Sequence, residues 1–239
     1  MQYMGGKSRI SKEIINFING EREINQTWVE PFMGSCKVLS KAKGPRIGAD
    51  INQELISLFK MIQQGYEPPQ EITEDQYYKI YKNQDNYPDY LKGFVSFACS
   101  WGGQRWNGYA RSGEKNFAER GFRSLMSMKP LLQNVKFACS DYQNLKIPPN
   151  SIIYCDPPYA NTTGYGFDFD KSEFLKWCTL KANEGHMVYV SEYESLEGFD
   201  LVWSKEVYAS MDNVNQNINK KTEKLFRVHK EPSFKLRAY

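Results

Sequence analysis

Hydrophobic positions recur along the chain with two different periods, and their alternation predicts an α/β protein. Short apolar runs at 27–30, 46–50, 135–140, 151–155 and 186–190 have the length and composition of buried strands. Helical spacing, with apolar residues three and four apart, covers 8–19, 52–64, 72–82, 90–100 and 171–183, and a further helix is expected from about Lys37. Strand character returns at 201–208 and 225–229. The stretch 211–224 is polar and Asn-rich, which predicts a loop, and 160–170 reads as a lid. From residue 27 a strand, a glycine-bearing turn and a helix follow one another, the first half of a βαβ unit. Residues 66–132 break this rhythm with helices and a glycine-rich segment. The expected organisation is therefore a core of 1–65 and 133–239 carrying 66–132 as an insert.

The 239 residues are 41% hydrophobic and 25% charged, an ordinary globular composition with room for a core and an inserted subdomain. A formal charge of +3 is too small to mark a nucleic-acid binder by itself, so any basic surface has to be local. Five cysteines without a Cys-x-x-Cys, and only two histidines, His186 and His229, argue against a metal site and for a reduced compartment. No apolar stretch approaches the ~18 residues of a membrane span, and none of signal type opens the chain. The expectation is a cytoplasmic protein with no membrane partner.

Chemistry concentrates at Asp156-Pro157-Pro158-Tyr159, directly after the apolar run 151–155. Open α/β sheets bind ligands at the carboxyl ends of their strands. The prolines fix φ and remove two N–H donors, Asp156 supplies an acceptor-only carboxylate, and Tyr159 supplies a flat ring. These parts suit gripping a planar base by its exocyclic NH2 while stacking on its face; a proline-rich turn closing a strand is the plainer alternative. Acids also follow the runs at 46–50 and 135–140, as Asp50 and Asp141. After the second strand of a nucleoside-binding sheet such an acid meets ribose hydroxyls; capping a helix is the other role open to Asp50. Gly5-Gly6-Lys7-Ser8 looks like the end of a phosphate-binding loop, but Met1 stands where that motif needs glycine and no strand precedes it. What remains is a pair of glycines that allow close backbone approach, with Lys7 to meet a carboxylate. From Trp101 to Arg111, three glycines, two arginines and three large aromatic residues fit neither period. Such a loop suits DNA, with Arg on guanine edges or phosphates and rings that wedge or stack. A surface loop with a few packed rings is the alternative.

Taken in order, Tyr3-x-Gly5-Gly6-Lys7, Val29-Glu30-Pro31-Phe32-x-Gly34-Ser35, Ala49-Asp50-Ile51-Asn52, a central insert and Asp156-Pro157-Pro158-Tyr159 resemble the Dam-type, D12 class adenine-N6 DNA methyltransferases over nearly the whole chain. The resemblance implies a doubly wound, Rossmann-like S-adenosylmethionine-dependent methyltransferase sheet with an inserted, mainly helical target-recognition subdomain. It implies a cofactor set of Tyr3, Lys7, Glu30, Phe32, Gly34, Asp50, Asp141 and Asp156. Asp156, Pro157 and Tyr159 become the catalytic residues, holding a flipped-out adenine. Asn107-Gly108-x-x-Arg111 is similar to the family's recognition hairpin. Arg111 is then the expected reader of guanine, Trp106 or Asn107 a wedge or base contact, and Arg105 a further DNA-binding residue. Cys36 departs from the pattern, standing where a second glycine usually follows Gly34-Ser35, and brings a Cβ into a close turn.

The implied partner is double-stranded DNA, with GATC as the target and a cognate restriction endonuclease as one setting; monomer and weak dimer stay open. Two other readings share these residues. One is methylation of a different planar amine, such as cytosine N4, RNA adenine or a protein amide. The other is a DNA-binding relative without catalysis.

Overall fold

The computed structural model describes residues 1–158, 169–208 and 220–229. The chain divides into two compact units, Met1–Lys146 and Ile147–Tyr239. Parallel strands joined through helices make the fold α/β.

In the first unit, strands β1 (Trp28–Glu30), β2 (Arg46–Asp50) and β3 (Val135–Cys139) run parallel in the order β3-β2-β1. Every residue of β1 is buried, as a parallel strand covered on both faces requires. Helix α1 (Ser11–Glu21) buries Ile14, Ile15 and Ile18 at helical spacing. Helix α2 (Gln53–Gln63) starts at Asn52, whose side chain accepts from the Leu55 N–H at 2.9 Å. Its buried face is Leu55, Ile56, Leu58, Phe59 and Ile62, and each such side chain contributes about 1.5–3 kcal/mol on leaving water.

Helix α3 (Glu74–Lys82) opens with a capping box between Thr73 and Gln76, bonds of 3.2 and 2.8 Å. Helix α4 (Asp89–Ala98) lies so close to α2 that a Cβ on Gly93 would stand 2.3 Å from the Glu54 carbonyl oxygen. Helix α5 (Phe117–Met128) is capped by the Asn116 side chain and buries Ala118, Gly121, Leu125 and Met128. These three helices fall within 66–132, and the compact unit that contains them also takes in β2 and β3.

The helix expected from Lys37 is a single 3-10 turn, Leu39–Lys41. Cys36 takes a left-handed φ of 60° just before it, and Gly44-Pro45 leads straight into β2 after it, so too few residues remain for an α-helix.

In the second unit, β4 (Ile152–Cys155) and β5 (Met187–Glu192) run parallel and are joined through helix α6 (Lys171–Asn183). Strands β6 (Asp200–Tyr208) and β7 (Lys220–Val228) pair antiparallel with each other, and β7 pairs antiparallel with β5, giving the order β4-β5-β7-β6. The four residues of β4 are all buried, as their continuous apolar run predicts. Strand β7 begins earlier than expected. Residues 220–224, read as the end of a polar loop, instead pair with β6, where Lys205 stands across from Glu223. Backbone pairing and opposite charges across the ladder sustain this stretch, and a search for apolar alternation does not see them. The rest of that expected loop, 211–219, and residues 160–168 of the expected lid lie outside the described residues.

Candidate active site

Parallel register brings the carboxyl ends of β1, β2 and β3 to one edge, with Glu30 opposite Gly48 and Asp50 opposite Cys139. The chain leaving β1 folds back over the end of β2, where the Met33 N–H donates to the Ala49 carbonyl at 2.9 Å. Asp50 secures the next residue. Its Oδ2 accepts the Gly34 N–H at 3.1 Å, and its Oδ1 accepts the Asn52 N–H at 3.0 Å. Burial pushes the Asp50 carboxyl up to about 6, against the opposing pull of these two N–H donors. Asn52, not Asp50, caps α2, so the carboxylate is left to the loop.

Tyr3 and Gly34 form the other wall. Gly34 has φ +44°, and a Cβ there would stand 2.9 Å from Tyr3 Cε1. The Tyr3 ring also packs on Phe97, 5.1 Å between centroids. Gly103 closes on the same segment from the glycine-rich loop. Its φ is +69°, its Cβ would lie 2.7 Å from the Tyr3 nitrogen, and its carbonyl accepts the Met4 N–H at 3.3 Å. Lys7 is buried, with Nζ donating to the Gly5 carbonyl at 3.4 Å.

Glu30 is buried at the end of β1 and its Oε1 accepts the Trp28 indole N–H at 2.8 Å. Phe32 packs on Tyr142, 5.3 Å between centroids. Asp141 caps the 3-10 turn Tyr142–Asn144, accepting the Gln143 N–H at 2.8 Å. Cys36 sits buried in the loop at φ 60°, a conformation costing a side-chain-bearing residue about 1–2 kcal/mol. Burial, with Glu30 nearby, pushes its thiol well up, so it stays protonated.

In the second unit, Asp156, Pro157 and Pro158 directly follow the buried strand β4. Pro157 lines a small cavity with Phe169, Phe174, Val190, Glu192 and Leu196. Lys171 pairs with Glu192 there at 3.3 Å. Tyr159 lies outside the described residues.

The glycine-rich segment 101–111 of the first unit folds back on itself: the Trp101 N–H donates to the Gly108 carbonyl at 2.9 Å, and the Ala110 N–H to the Cys99 carbonyl at 2.8 Å. Two of its three rings are packed, while Trp101 is 52% exposed. Trp106 sits at 5.4 Å from Tyr77 and 5.5 Å from Tyr81, and the Tyr109 hydroxyl donates to the Ile72 carbonyl at 2.7 Å. Arg105 forks onto Glu54, with bonds of 3.1 and 2.9 Å. The Arg111 side chain is 70% exposed and pairs with Glu74. Asn107 is exposed and donates to Gln104 Oε1 at 2.8 Å. Among the described residues no cluster of His, Cys, Asp and Glu is arranged to hold a metal ion, and no helix is long and apolar enough to cross a membrane.

Residues 3–126 and 99–225 match the model of the D12 class N6 adenine-specific DNA methyltransferase family. The chain belongs to this family. Its activity is adenine-specific methylation of DNA. It is 27% identical over 224 residues to the retron Ec67 DNA adenine methylase of Escherichia coli, covering 82% of this chain and 77% of that one. Against the DNA adenine methylase of Haemophilus influenzae it is 27% identical over 267 residues, covering 95% and 90% of the two chains. The DNA adenine methylase of Vibrio cholerae is 28% identical over 230 residues, covering 82% and 81%.

Three features of this D12 methyltransferase escaped the sequence reading. Gly103 has no individual role in the sequence pattern, yet it packs on the backbone of Tyr3. Glu54 and Glu74 were assigned nothing, yet they hold Arg105 and Arg111. A glycine's contact partner and an arginine's counter-ion are set by tertiary packing, and neither leaves a local pattern. An acid in the first turn of a helix, as Glu54 and Glu74 both are, already has a sufficient local reason to be there.

Proposed function

We propose that the chain methylates N6 of an adenine turned out of double-stranded DNA, drawing on S-adenosylmethionine, with Asp156 as the residue that holds the amine. The observation that carries this reading is Asp156-Pro157-Pro158 standing immediately past the buried parallel strand β4 in a chain of this family. The first-unit loop suits the nucleoside part of the methyl donor. Asp50 uses one lone pair of each oxygen on a backbone N–H and keeps others for ribose hydroxyls. Gly34 leaves free the volume that a Cβ would fill against Tyr3. When bound, S-adenosylmethionine would supply an electrophilic methyl group on a sulfonium centre, the S–CH3 bond breaking to leave a neutral thioether as the N–CH3 bond forms and N6 giving up one proton to solvent.

The protein's own work is on the amine. Adenine N6 is a poor nucleophile because its lone pair is delocalised into the ring. Hydrogen bonds from the NH2 to the Asp156 carboxylate and the Pro157 carbonyl favour a pyramidal nitrogen whose lone pair is available. Tyr159 stacks on the base and offsets part of the few kcal/mol that unstacking costs. Holding nitrogen and methyl in line supplies much of the acceleration. No cysteine nucleophile enters, and Cys155 is a packed residue of β4. Arg111, the more exposed arginine, is the reader of guanine, while Arg105 fixes the loop to α2 through Glu54.

Labelled methyl from S-adenosylmethionine, offered with unmethylated duplex DNA and followed by digestion to nucleosides, is expected to appear in N6-methyladenine. Sequencing the modified sites then tests GATC as the target. Label in N4-methylcytosine, or transfer to RNA but not to DNA, would overturn the reading. Gly34→Ala is expected to weaken S-adenosylmethionine binding about tenfold, since a left-handed φ costs alanine about 1–2 kcal/mol and its methyl meets Tyr3. Calorimetric titration checks it.

A further inference from the structure

We infer that helix α3 is a second DNA-contacting element, which grips the phosphate backbone beside the loop that reads the bases. The inference rests on the reading above that residues 101–111 meet DNA. Three contacts tie that loop to α3 and its approach. The Trp106 ring lies 5.4 and 5.5 Å from Tyr77 and Tyr81, Arg111 pairs with Glu74, and the Tyr109 hydroxyl donates to the Ile72 carbonyl at 2.7 Å. Whatever meets Arg111 therefore also meets the outer side of α3.

Helical spacing sorts α3 into two sides. Tyr77 and Ile80 are buried, while Tyr78, Lys79, Tyr81 and Lys82 are exposed. Tyr78 and Tyr81, 37% and 44% exposed, are a turn apart. No ion pair or hydrogen bond engages the Lys79 or Lys82 ammonium among the described residues. The acids of the helix, Glu74 and Asp75, are confined to its first turn, and Glu74 is already paired with Arg111. The last turn, Lys79–Lys82, thus presents two cations and the Tyr81 phenol, with Asp75 one turn earlier and Asp85 three residues beyond it. Lysine ammonium groups and tyrosine hydroxyls are donors that DNA-binding proteins place on phosphate oxygens, fixing position without reading sequence. In a chain of only +3 net charge, a local patch continuous with Arg111 is where a polyanion would be held.

The test is the salt dependence of binding to a fluorescent duplex, using the full chain and a Lys79→Ala/Lys82→Ala double variant. Each lost phosphate contact flattens the slope of log K against log salt by about 0.9, so the double variant is expected to flatten it by about 1.8. Affinity should fall alike on the methylated target sequence and on a scrambled duplex. A Tyr78→Phe/Tyr81→Phe variant should lower affinity on both duplexes while leaving the slope unchanged, because it removes donors and no charge. Alanine favours an exposed helix, so the lysine variant keeps its fold, and its melting temperature verifies this. An unchanged slope in the double variant, with Arg111→Ala weakening binding, overturns the role of α3 and leaves the loop reading standing. Failure of the unaltered chain to bind any duplex overturns both.

Discussion

Asp156→Ala is expected to lower methyl transfer by about 10²–10³-fold or more, the scale on which one preorganised electrostatic group acts at a reacting centre. The expectation follows from what surrounds Asp156 in the sequence. It leaves the buried strand β4 and enters two prolines whose φ angles are fixed and which donate no backbone hydrogen bond. The segment is therefore stiff, and no neighbouring backbone carbonyl can swing in to take the carboxylate's place as acceptor. Asp156→Asn separates charge from shape. It keeps the volume and one acceptor oxygen but loses the charge and puts an NH2 donor in place of the other oxygen, so it should also be strongly impaired. Both variants should retain duplex binding, which is proposed to lie with the loop and α3, and both should melt near the temperature of the unaltered chain. Single-turnover transfer measured beside duplex affinity tests this directly. Near-normal turnover in Asp156→Ala would mean that the amine is held elsewhere, and the proposed mechanism would fail.

The residues that were legible in the sequence are those whose role is written in backbone pattern. Buried strands announce themselves by continuous apolar runs, so β2 was bounded correctly at Arg46–Asp50 and α6 at Lys171–Asn183. Asp50 could be placed at the carboxyl end of its strand for the same reason. What Asp50 binds could not be read, because its partner Gly34 is sixteen positions away and is reached only when β1 and β2 pair. A 3-10 turn at Leu39–Lys41 stands where a longer helix is expected from about Lys37, because apolar spacing says nothing of the left-handed Cys36 just before it. Strand β7 was misplaced in the opposite sense, its polar start being held by pairing to β6 and not by burial of alternate residues. For 101–111 the sequence leaves a DNA-facing loop and a surface loop with a few packed rings both open, and Trp106 and Tyr109 are packed. The loop's arginines and packed rings are engaged by α2 and α3, elements that precede it by about twenty to fifty residues.

Asp50 leads to the second large effect, one that depends on pH. Burial holds its carboxyl near 6, so it is charged at pH 8 and largely protonated at pH 5. Protonation turns one oxygen from acceptor to donor, opposing a backbone N–H that the carboxylate now accepts and removing lone pairs that the proposed function assigns to ribose hydroxyls. S-adenosylmethionine affinity is therefore expected to fall as pH drops through about 6. Folding stability responds with the opposite sign. A carboxyl whose folded pKa is raised binds its proton more tightly in the native chain than in the unfolded one. Its contribution to stability thus increases as pH falls from about 6 toward 3.8, the value of the unburied group. A loss of cofactor binding near pH 6 that accompanied loss of structure would point to other groups, whereas a loss in a folded chain points to Asp50. Asp50→Asn fixes the assignment: its affinity should be about ten- to a hundredfold lower at pH 8, the worth of a hydrogen bond to a charged group, and flat across the same range. Calorimetric titration at stepped pH, with melting curves at each step, measures both trends. An unaltered chain whose affinity does not change between about pH 8 and pH 5 would remove Asp50 from the cofactor site.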